Sequence, residues 1–418
     1  MEIKTTKRIS FKASINDSHA HIGHHRIKRG LVYFSPERLD SFTKEPLTIV
    51  VQSIKQQDKV ENMFVSNLDC MVDNGKFANE LDGNLFTLQS SKKNSRIVPI
   101  AVCQPNVTGG DTELIKKLLD ENDGKFFGLK FHPSLLRYKT DNKTIVSVDS
   151  IAYDKYLELA EEKKLPCLFH SEVKINWEDP NCPKVIKGAC PSDPQYIYEL
   201  AKRHPKVPVI LGHTGMGGGP SHKYTIDFIT DSINRNDSLL YADISWMDWS
   251  ESHLPADNKE NLFYFIDKLK EKGKLERILF GTDSPLGCYG EKLADELSEK
   301  KAYEKTVSSL KNAIKEHYGQ EADDIIDKIF YKNANELFFE KKWAKDSNID
   351  TAVKKISKTK IGLAIGTGVL AFAGIMFAHS PQRSPNTTIR SNSNTTDKPA
   401  LQTKYNAFPS IFAKFSKK

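Results

Sequence analysis

The sequence predicts a parallel α/β barrel of the (β/α)8, or TIM, type, followed by a single transmembrane-like apolar helix and a disordered polar tail. Three observations carry this reading. Eight short apolar segments rich in β-branched residues recur between residues 13 and 283, stretches long enough for a helix separate them, and several of the segments end in histidine or aspartate. Strand and helix in alternation specify a parallel sheet with covered faces, and eight is the number of strands at which such a sheet closes on itself.

The strands are expected near residues 13–19, 63–69, 96–103, 126–132, 165–170, 207–213, 239–245 and 277–283. Helices are expected over 154–164, 194–203 and 259–272, the last with Leu262, Phe265, Ile266 and Leu269 at helical spacing. Residues 291–343 repeat the pattern through Leu310, Ile314, Ile325, Ile326 and Ile329 and are expected to close the barrel from outside. The barrel domain is therefore drawn over residues 1–345. At 418 residues the chain has length to spare beyond one such domain.

The character of the chain then changes. Residues 346–360 form a basic linker containing Lys354, Lys355, Lys358 and Lys360, residues 361–378 carry no charge, and residues 379–418 are rich in Ser, Thr and Asn. The uncharged run would span about 27 Å as a helix, enough for the hydrocarbon core of a bilayer. Gly362 and Gly366 stand at GxxxG spacing, which suits helix packing in lipid. The lysines before the run outweigh Arg383 and Arg390 after it, so the expected topology is a membrane anchor with the barrel in the cytoplasm.

Charge argues against nucleic acid as a partner. The net +7 arises in residues 346–418, with 11 basic against 3 acidic residues; residues 1–345 hold 50 against 51. A near-neutral barrel offers phosphate little attraction. The six cysteines (Cys70, Cys103, Cys167, Cys182, Cys190 and Cys288) are scattered and imply no disulfide framework; Cys182 and Cys190 read as reduced loop residues. Residues 1–12 lack the apolar core of a secretory signal.

The chemistry is written at the strand ends. In Asp17-Ser18-His19-Ala20-His21 the two histidines are two apart on a strand, so they point to the same side and can grip one ion together. His170, His213 and Asp283 end the fifth, sixth and eighth expected strands, on the face where barrels of this kind build their active sites. Lys130 and His132 share one face of the fourth strand and are expected to bind substrate, Lys130 as a charge that orients an anion. Arg137 is a candidate carboxylate clamp. The loop Met216-Gly217-Gly218-Gly219-Pro220 lacks the lysine and context of a P-loop, while Glu172, Trp246 and Trp249 follow strands five and seven and are candidates for the pocket floor.

With these residues in view, the chain resembles the amidohydrolase superfamily, in the branch similar to aminocarboxymuconate-semialdehyde decarboxylase. The resemblance runs from residue 13 to about 340. It rests on the opening Asp17, His19 and His21, on Gly128-Leu129-Lys130-Phe131-His132-Pro133, on His170, on His213-Thr214-Gly215, on Asp283-Ser284-Pro285, and on the closing Asn333-Ala334-Asn335-Glu336-Leu337-Phe338. It implies one divalent ion, zinc, on His19, His21, His170 and Asp283, with His213 beside the metal. Asp283 would then take a proton from a water activated by the ion, and His213 would polarise the substrate or return the proton. In a binuclear alternative Lys130 is carboxylated and bridges two ions, with His170 and His213 on the second.

The leading expectation is a hydrolase acting on an amide, ester or lactone of a small molecule, and an oligomer of this chain is compatible with it. The alternatives are a non-oxidative decarboxylase using the same site, a metal-dependent deoxyribonuclease, and an inactive membrane-tethered scaffold. Against the deoxyribonuclease stands Lys130, where relatives of that kind carry glutamate.

Overall fold

The computed structural model describes residues 13–22, 58–67, 70, 80–105, 112–133, 148, 151–176, 184–186, 190–215, 220–245, 257–283 and 298–344. All of them fall in the first of the two units into which the chain divides, Met1–Lys358. The expected linker, apolar span and tail lie outside the described residues, as do Arg137, the 216–219 loop, Trp246 and Trp249. Among the described residues no helix is long and apolar enough to cross a membrane.

Every expected strand forms. They are β1 (Ala13–Ile22), β2 (Asp58–Asn67), β3 (Ile97–Pro99) with β4 (Ala101–Val102), β5 (Leu129–Phe131), β6 (Cys167–His170), β9 (Val209–Gly212), β10 (Leu240–Asp243) and β11 (Ile278–Leu279). Between β6 and β9 stands an antiparallel hairpin that strand periodicity did not anticipate, β7 (Lys174–Asn176) with β8 (Lys184–Ile186). The other strands pair in parallel in two sheets, β1-β2-β3 and β11-β10-β9-β6-β5-β4.

Backbone hydrogen bonds join the two sheets into a ring. The third expected strand is interrupted at Ile100, whose N–H donates to Val65 of β2 at 2.9 Å, while the next residue, Ala101, donates to Gly128 before β5 at 2.9 Å. The other seam joins first strand to last: Ser18 N–H donates to the Phe280 carbonyl at 2.9 Å and Asp283 N–H to the His19 carbonyl at 2.7 Å. Eight parallel strand segments thus close in the order the chain visits them.

Because side chains alternate along a strand, the ring has two surfaces. Met63, Val65, Leu129, Phe131, Cys167, Phe169, Val209 and Leu211 belong to one core, shared with the helices. Their alternates Phe64, Val98, Leu168, Ile210, Tyr241 and Leu279 belong to a second core inside the ring. Two residues beyond Phe64, Leu168 and Tyr241 the interior turns polar, with Ser66, His170 and Asp243, and Lys130 of β5 joins them. The barrel therefore holds an apolar lower layer beneath a polar upper one.

The outer helices are α1 (Glu80–Lys93), α2 (Thr112–Glu121), α3 (Ile151–Lys163), α4 (Pro194–Arg203), α5 (Pro220–Asn234), α6 (Asp257–Glu271), α7 (Ser298–Tyr318) and α8 (Ala322–Asp327). Leu262, Phe265, Ile266 and Leu269 on α6 are all buried, as their spacing requires. In α4, Pro194 occupies the first turn and the Asp193 carboxylate accepts from Gln195 N–H at 2.9 Å, satisfying a donor that the helix itself leaves open.

After α8 the chain widens into π-helical turns over Lys328–Lys332 and Asn335–Glu340. This segment plugs the lower end of the barrel. Ala334, Leu337 and Phe338 join the inner core, and Phe338 stacks on Phe64 with centroids 4.0 Å apart. Asn333 fastens the plug through its amide, which donates to the carbonyls of Leu275 at 2.9 Å and Ile278 at 2.7 Å. Phe338→Ala is expected to destabilise the protein by about 3–5 kcal/mol, the usual cost of emptying an aromatic core position. Urea denaturation that found a loss well under 1 kcal/mol would show that the plug is not part of the cooperative core.

Candidate metal centre

The upper layer gathers His19, His21, His170, His213 and Asp283 into one buried cluster. His19 and His21 point inward from β1 as their spacing demands, with ring centroids 4.9 Å apart. Both reach the same carboxylate oxygen: Asp283 Oδ1 lies 2.7 Å from His21 Nε2 and 3.2 Å from His19 Nε2. His213 faces the other oxygen, Oδ2, at 3.9 Å. Donor atoms of His19, His213 and Asp283 all lie within 4.8 Å of one another.

His170 sits one position back from this focus. Its Nδ1 is 3.0 Å from His213 Nε2, and its Nε2 is 3.5 Å from a Glu172 carboxylate oxygen. His132 stacks on His170 with centroids 3.8 Å apart, and its Nδ1 is buried without a hydrogen-bond partner. Lys130 is fully buried and its Nζ lies 2.8 Å from His19 Nε2. The structure thus brings together His19, His21, Lys130, His132, His170, His213 and Asp283, whereas Arg137, Trp246 and Trp249 lie outside the described residues.

Sequence reasoning missed Asp243, which organises the rest. Its Oδ2 lies 2.9 Å from His19 Nδ1, and its Oδ1 accepts from His213 N–H at 3.0 Å, Ser245 N–H at 3.0 Å and the Ser245 hydroxyl at 2.5 Å. The first contact places a proton on His19 Nδ1 and turns the Nε2 lone pair toward the cluster. With its hydrogen given to Asp243, the Ser245 hydroxyl accepts from His213 Nδ1 at 2.8 Å, which likewise leaves the His213 Nε2 lone pair inward. One carboxylate sets the tautomer of two rings, a common arrangement behind metal-binding histidines. The signal was present: Asp243 stands two residues beyond Tyr241 on an inward face, at the end of an expected strand.

Two glycines make room for His19. A Cβ on Gly281 would lie 2.8 Å from the His19 Cβ and one on Gly212 would lie 3.1 Å from its Cε1. His213, Thr214 and Asp283 adopt left-handed backbone conformations, with φ of 63°, 47° and 52°. Such conformations cost non-glycine residues on the order of 1–3 kcal/mol each and collect at functional sites. Asp243 holds the first two, its carboxylate accepting from His213 N–H at 3.0 Å and its carbonyl from the Thr214 hydroxyl at 2.5 Å, while Asp283 N–H donates to the His19 carbonyl at 2.7 Å.

The electrostatics favour a cation. Burial drives the His21 pKa from 6.5 to about 3, and burial also keeps His213 and His132 well below the ordinary histidine value, so these rings are neutral. Burial alone would raise Asp283, but the contact with His21 at 2.7 Å opposes it and the carboxyl stays well below its usual range. Asp243 is lowered as well, its burial overcome by the hydrogen bonds it accepts from His19 and Ser245. Lys130 is brought from 10.5 to about 8 by burial, against the pull of Asp283 and Asp243. Two carboxylates, Asp243 and Asp283, thus face a single ammonium with His21, His132 and His213 neutral between them, which favours a further cation.

The donor set fits a divalent ion. Donors at about 2.0–2.2 Å in a tetrahedron around one zinc stand roughly 3.3–3.6 Å apart, so the donors of His19, His213 and Asp283, all within 4.8 Å of one another, would close by about 1 Å at the widest separation on taking up the ion. Imidazole and carboxylate are the ligand types zinc prefers in catalytic sites.

Fold and site define an enzyme of the parallel-barrel class. The amidohydrolase family model matches residues 75–339, most of the chain, and the protein belongs to that family. The match begins after β2, so it is the barrel seam that carries His19 and His21 to the matched residues.

Similar solved structures include an uncharacterised TIM-barrel protein from Bordetella bronchiseptica, at 14% identity over 78% of this chain and 99% of that one, with a TM-score of 0.50. A probable 2-pyrone-4,6-dicarboxylic acid hydrolase from Acinetobacter baumannii matches at 15% identity over 78% and 98%, with a TM-score of 0.48. A 2,6-dihydroxybenzoate decarboxylase from Rhizobium matches at 16% over 78% and 99%, with a TM-score of 0.49. No curated protein matches the chain.

The neutral rings give the site a pH signature. In the unfolded chain His21 protonates near 6.5, whereas in the folded protein it stays neutral down to about 3. The unfolded state therefore takes up the proton across this window, and stability falls as pH falls. After removal of divalent ions with a chelator, lowering the pH from 7 to 5 is expected to cost about 2 kcal/mol through His21. Urea denaturation of His21→Gln should show a shallower dependence over this range; a slope equal to that of the parent would refute the assignment.

Proposed function

We propose that this amidohydrolase is a metal-dependent hydrolase that cleaves an amide, ester or lactone of a small, carboxylate-bearing molecule. The observation that carries the reading is the convergence of His19, His213 and Asp283 donor atoms within 4.8 Å at the carboxyl ends of the strands, with His21 on the same Asp283 oxygen. The ion, zinc in this reading, would be held by His19, His21, Asp283 and one nitrogen of the His170–His213 pair. Sequence reasoning assigned that nitrogen to His170 and put His213 beside the metal; the geometry that puts His213 Nε2 in the focus favours His213.

When bound, a divalent ion of this kind supplies a water acidic enough to attack at neutral pH and polarises the substrate oxygen. Asp283 takes the proton from the attacking water. The histidine of the pair that is not a ligand carries a proton to the leaving group. Lys130 on β5 and His132 just beyond it orient the substrate: Lys130 by charge, His132 through a buried Nδ1 that has no hydrogen-bond partner among the described residues. Arg137 is proposed as a further clamp for the substrate carboxylate.

A decarboxylase would use the same residues without net addition of water, so the product separates the two. A panel of lactones, esters, amides and aromatic carboxylic acids, scored for acid, ammonia or CO2 release, is expected to show metal-dependent acid release. His19→Ala and Asp283→Asn are each expected to lower zinc content below half an equivalent by elemental analysis and to reduce turnover by about 10²–10⁴. Turnover that survives in either variant after chelation would end the metal-hydrolase reading.

We further propose that residues 361–378 anchor the enzyme to a membrane with the barrel in the cytoplasm, on the strength of an 18-residue uncharged run preceded by four lysines. Full-length protein is expected to stay with the membrane fraction at alkaline pH, and a chain ending at Lys345 to leave it. Release of the full-length protein under those conditions would refute the anchor.

A further inference from the structure

Lys130 is the one described lysine with no exposed surface, and from β5 it reaches into the cluster of His19 and Asp283. Its ammonium lies 2.8 Å from His19 Nε2. Because Asp243 holds the proton on His19 Nδ1, at 2.9 Å, the Nε2 atom carries a single lone pair. In the structure that lone pair receives an N–H of Lys130. A metal ion on His19 requires the same lone pair, and one lone pair serves one partner at a time.

The surroundings give the ammonium a reason to be there. Asp243 and Asp283 are buried on either side of His19, at 2.9 Å and 3.2 Å from its two ring nitrogens. Buried carboxylates need positive charge close by, because the interior screens poorly and water does not solvate them. Lys130 supplies one such charge from within the chain.

We propose that Lys130 is an internal counter-cation that competes with the divalent ion for His19, so that metal loading is an exchange in which Lys130 gives up His19 Nε2. The inference rests on the metal-site reading above and adds a role for Lys130 distinct from substrate orientation. Two consequences follow for a neutral replacement. The metal-free protein loses the charge that balances its buried carboxylates and becomes less stable. The ion meets neither a rival for the lone pair nor a like charge beside it, and binds more tightly.

The test is zinc binding to the chelator-treated full chain by calorimetric titration, together with the melting temperature with and without zinc, for the parent, Lys130→Met and Lys130→Gln. Glutamine keeps comparable length and polarity, so it covers the case in which methionine prevents folding. Each variant that folds is expected to melt below the parent without metal, to bind zinc with a Kd at least tenfold lower, and to gain more in melting temperature when zinc is added. A parent that takes up no zinc removes the metal reading itself. A parent that binds zinc alongside variants that bind it equally or more weakly overturns the exchange alone. Two equivalents on the parent and one on both variants would overturn it too, because Lys130 would then be a ligand.

Discussion

The site depends on how the barrel closes. Asp17 of β1 accepts from Thr282 through both carboxylate oxygens, at 3.0 Å from the backbone N–H and 2.6 Å from the hydroxyl, across 265 positions of sequence. Ser18 adds a hydroxyl bond to the Phe280 carbonyl at 2.7 Å. These contacts lie within four residues of His19, His21 and Asp283, so one seam both seals the ring and sets the spacing of the two histidines from the carboxylate they share. Buried hydrogen bonds to a charged group are among the stronger single contacts in a protein, of order 1.5–3 kcal/mol each. Their directionality matters as much here, since a shift of one residue in register would turn the histidines outward.

Much of this was legible in the chain because strands and barrels obey short-range rules. Alternating apolar residues and regular spacing located all eight strand segments, and the i, i+2 rule put His19 and His21 on one side. Four features were not legible. The break at Ile100 arises because that segment serves two neighbouring strands in succession, a matter of pairing and not of propensity. The hairpin between β6 and β9 follows a strand that pattern already explained, and three-residue strands leave almost no periodic trace. Asp243 carried a signal, its place at the end of an inward face, but a single acid at a strand end carries little weight until the ring it binds is known. The relation of His170 to His213 lies beyond spacing rules altogether, because it depends on side-chain rotation within a shared pocket.

The upper layer is costly to fold and organised for binding. Neutral imidazoles, two ionised carboxylates and a buried ammonium occupy volume that a more stable protein would fill with leucine or isoleucine. Left-handed backbone at His213, Thr214 and Asp283 adds strain in the same place. The lower layer offsets this with an apolar interior, and the outer helices with a second. Polar function and apolar support are thus separated by one step of two residues along the same strands, Leu168 to His170 and Tyr241 to Asp243.

The Phe338 plug has a bearing on traffic as well as on packing. With aromatic and aliphatic side chains sealing one end of the barrel among the described residues, a molecule that enters from the opposite face cannot pass through and must leave by that face. A molecule departing after reaction stands in the path of the next arrival. Occupancy by a spent molecule and approach of a fresh one become mutually exclusive, and a lingering product would slow the enzyme by blocking that face.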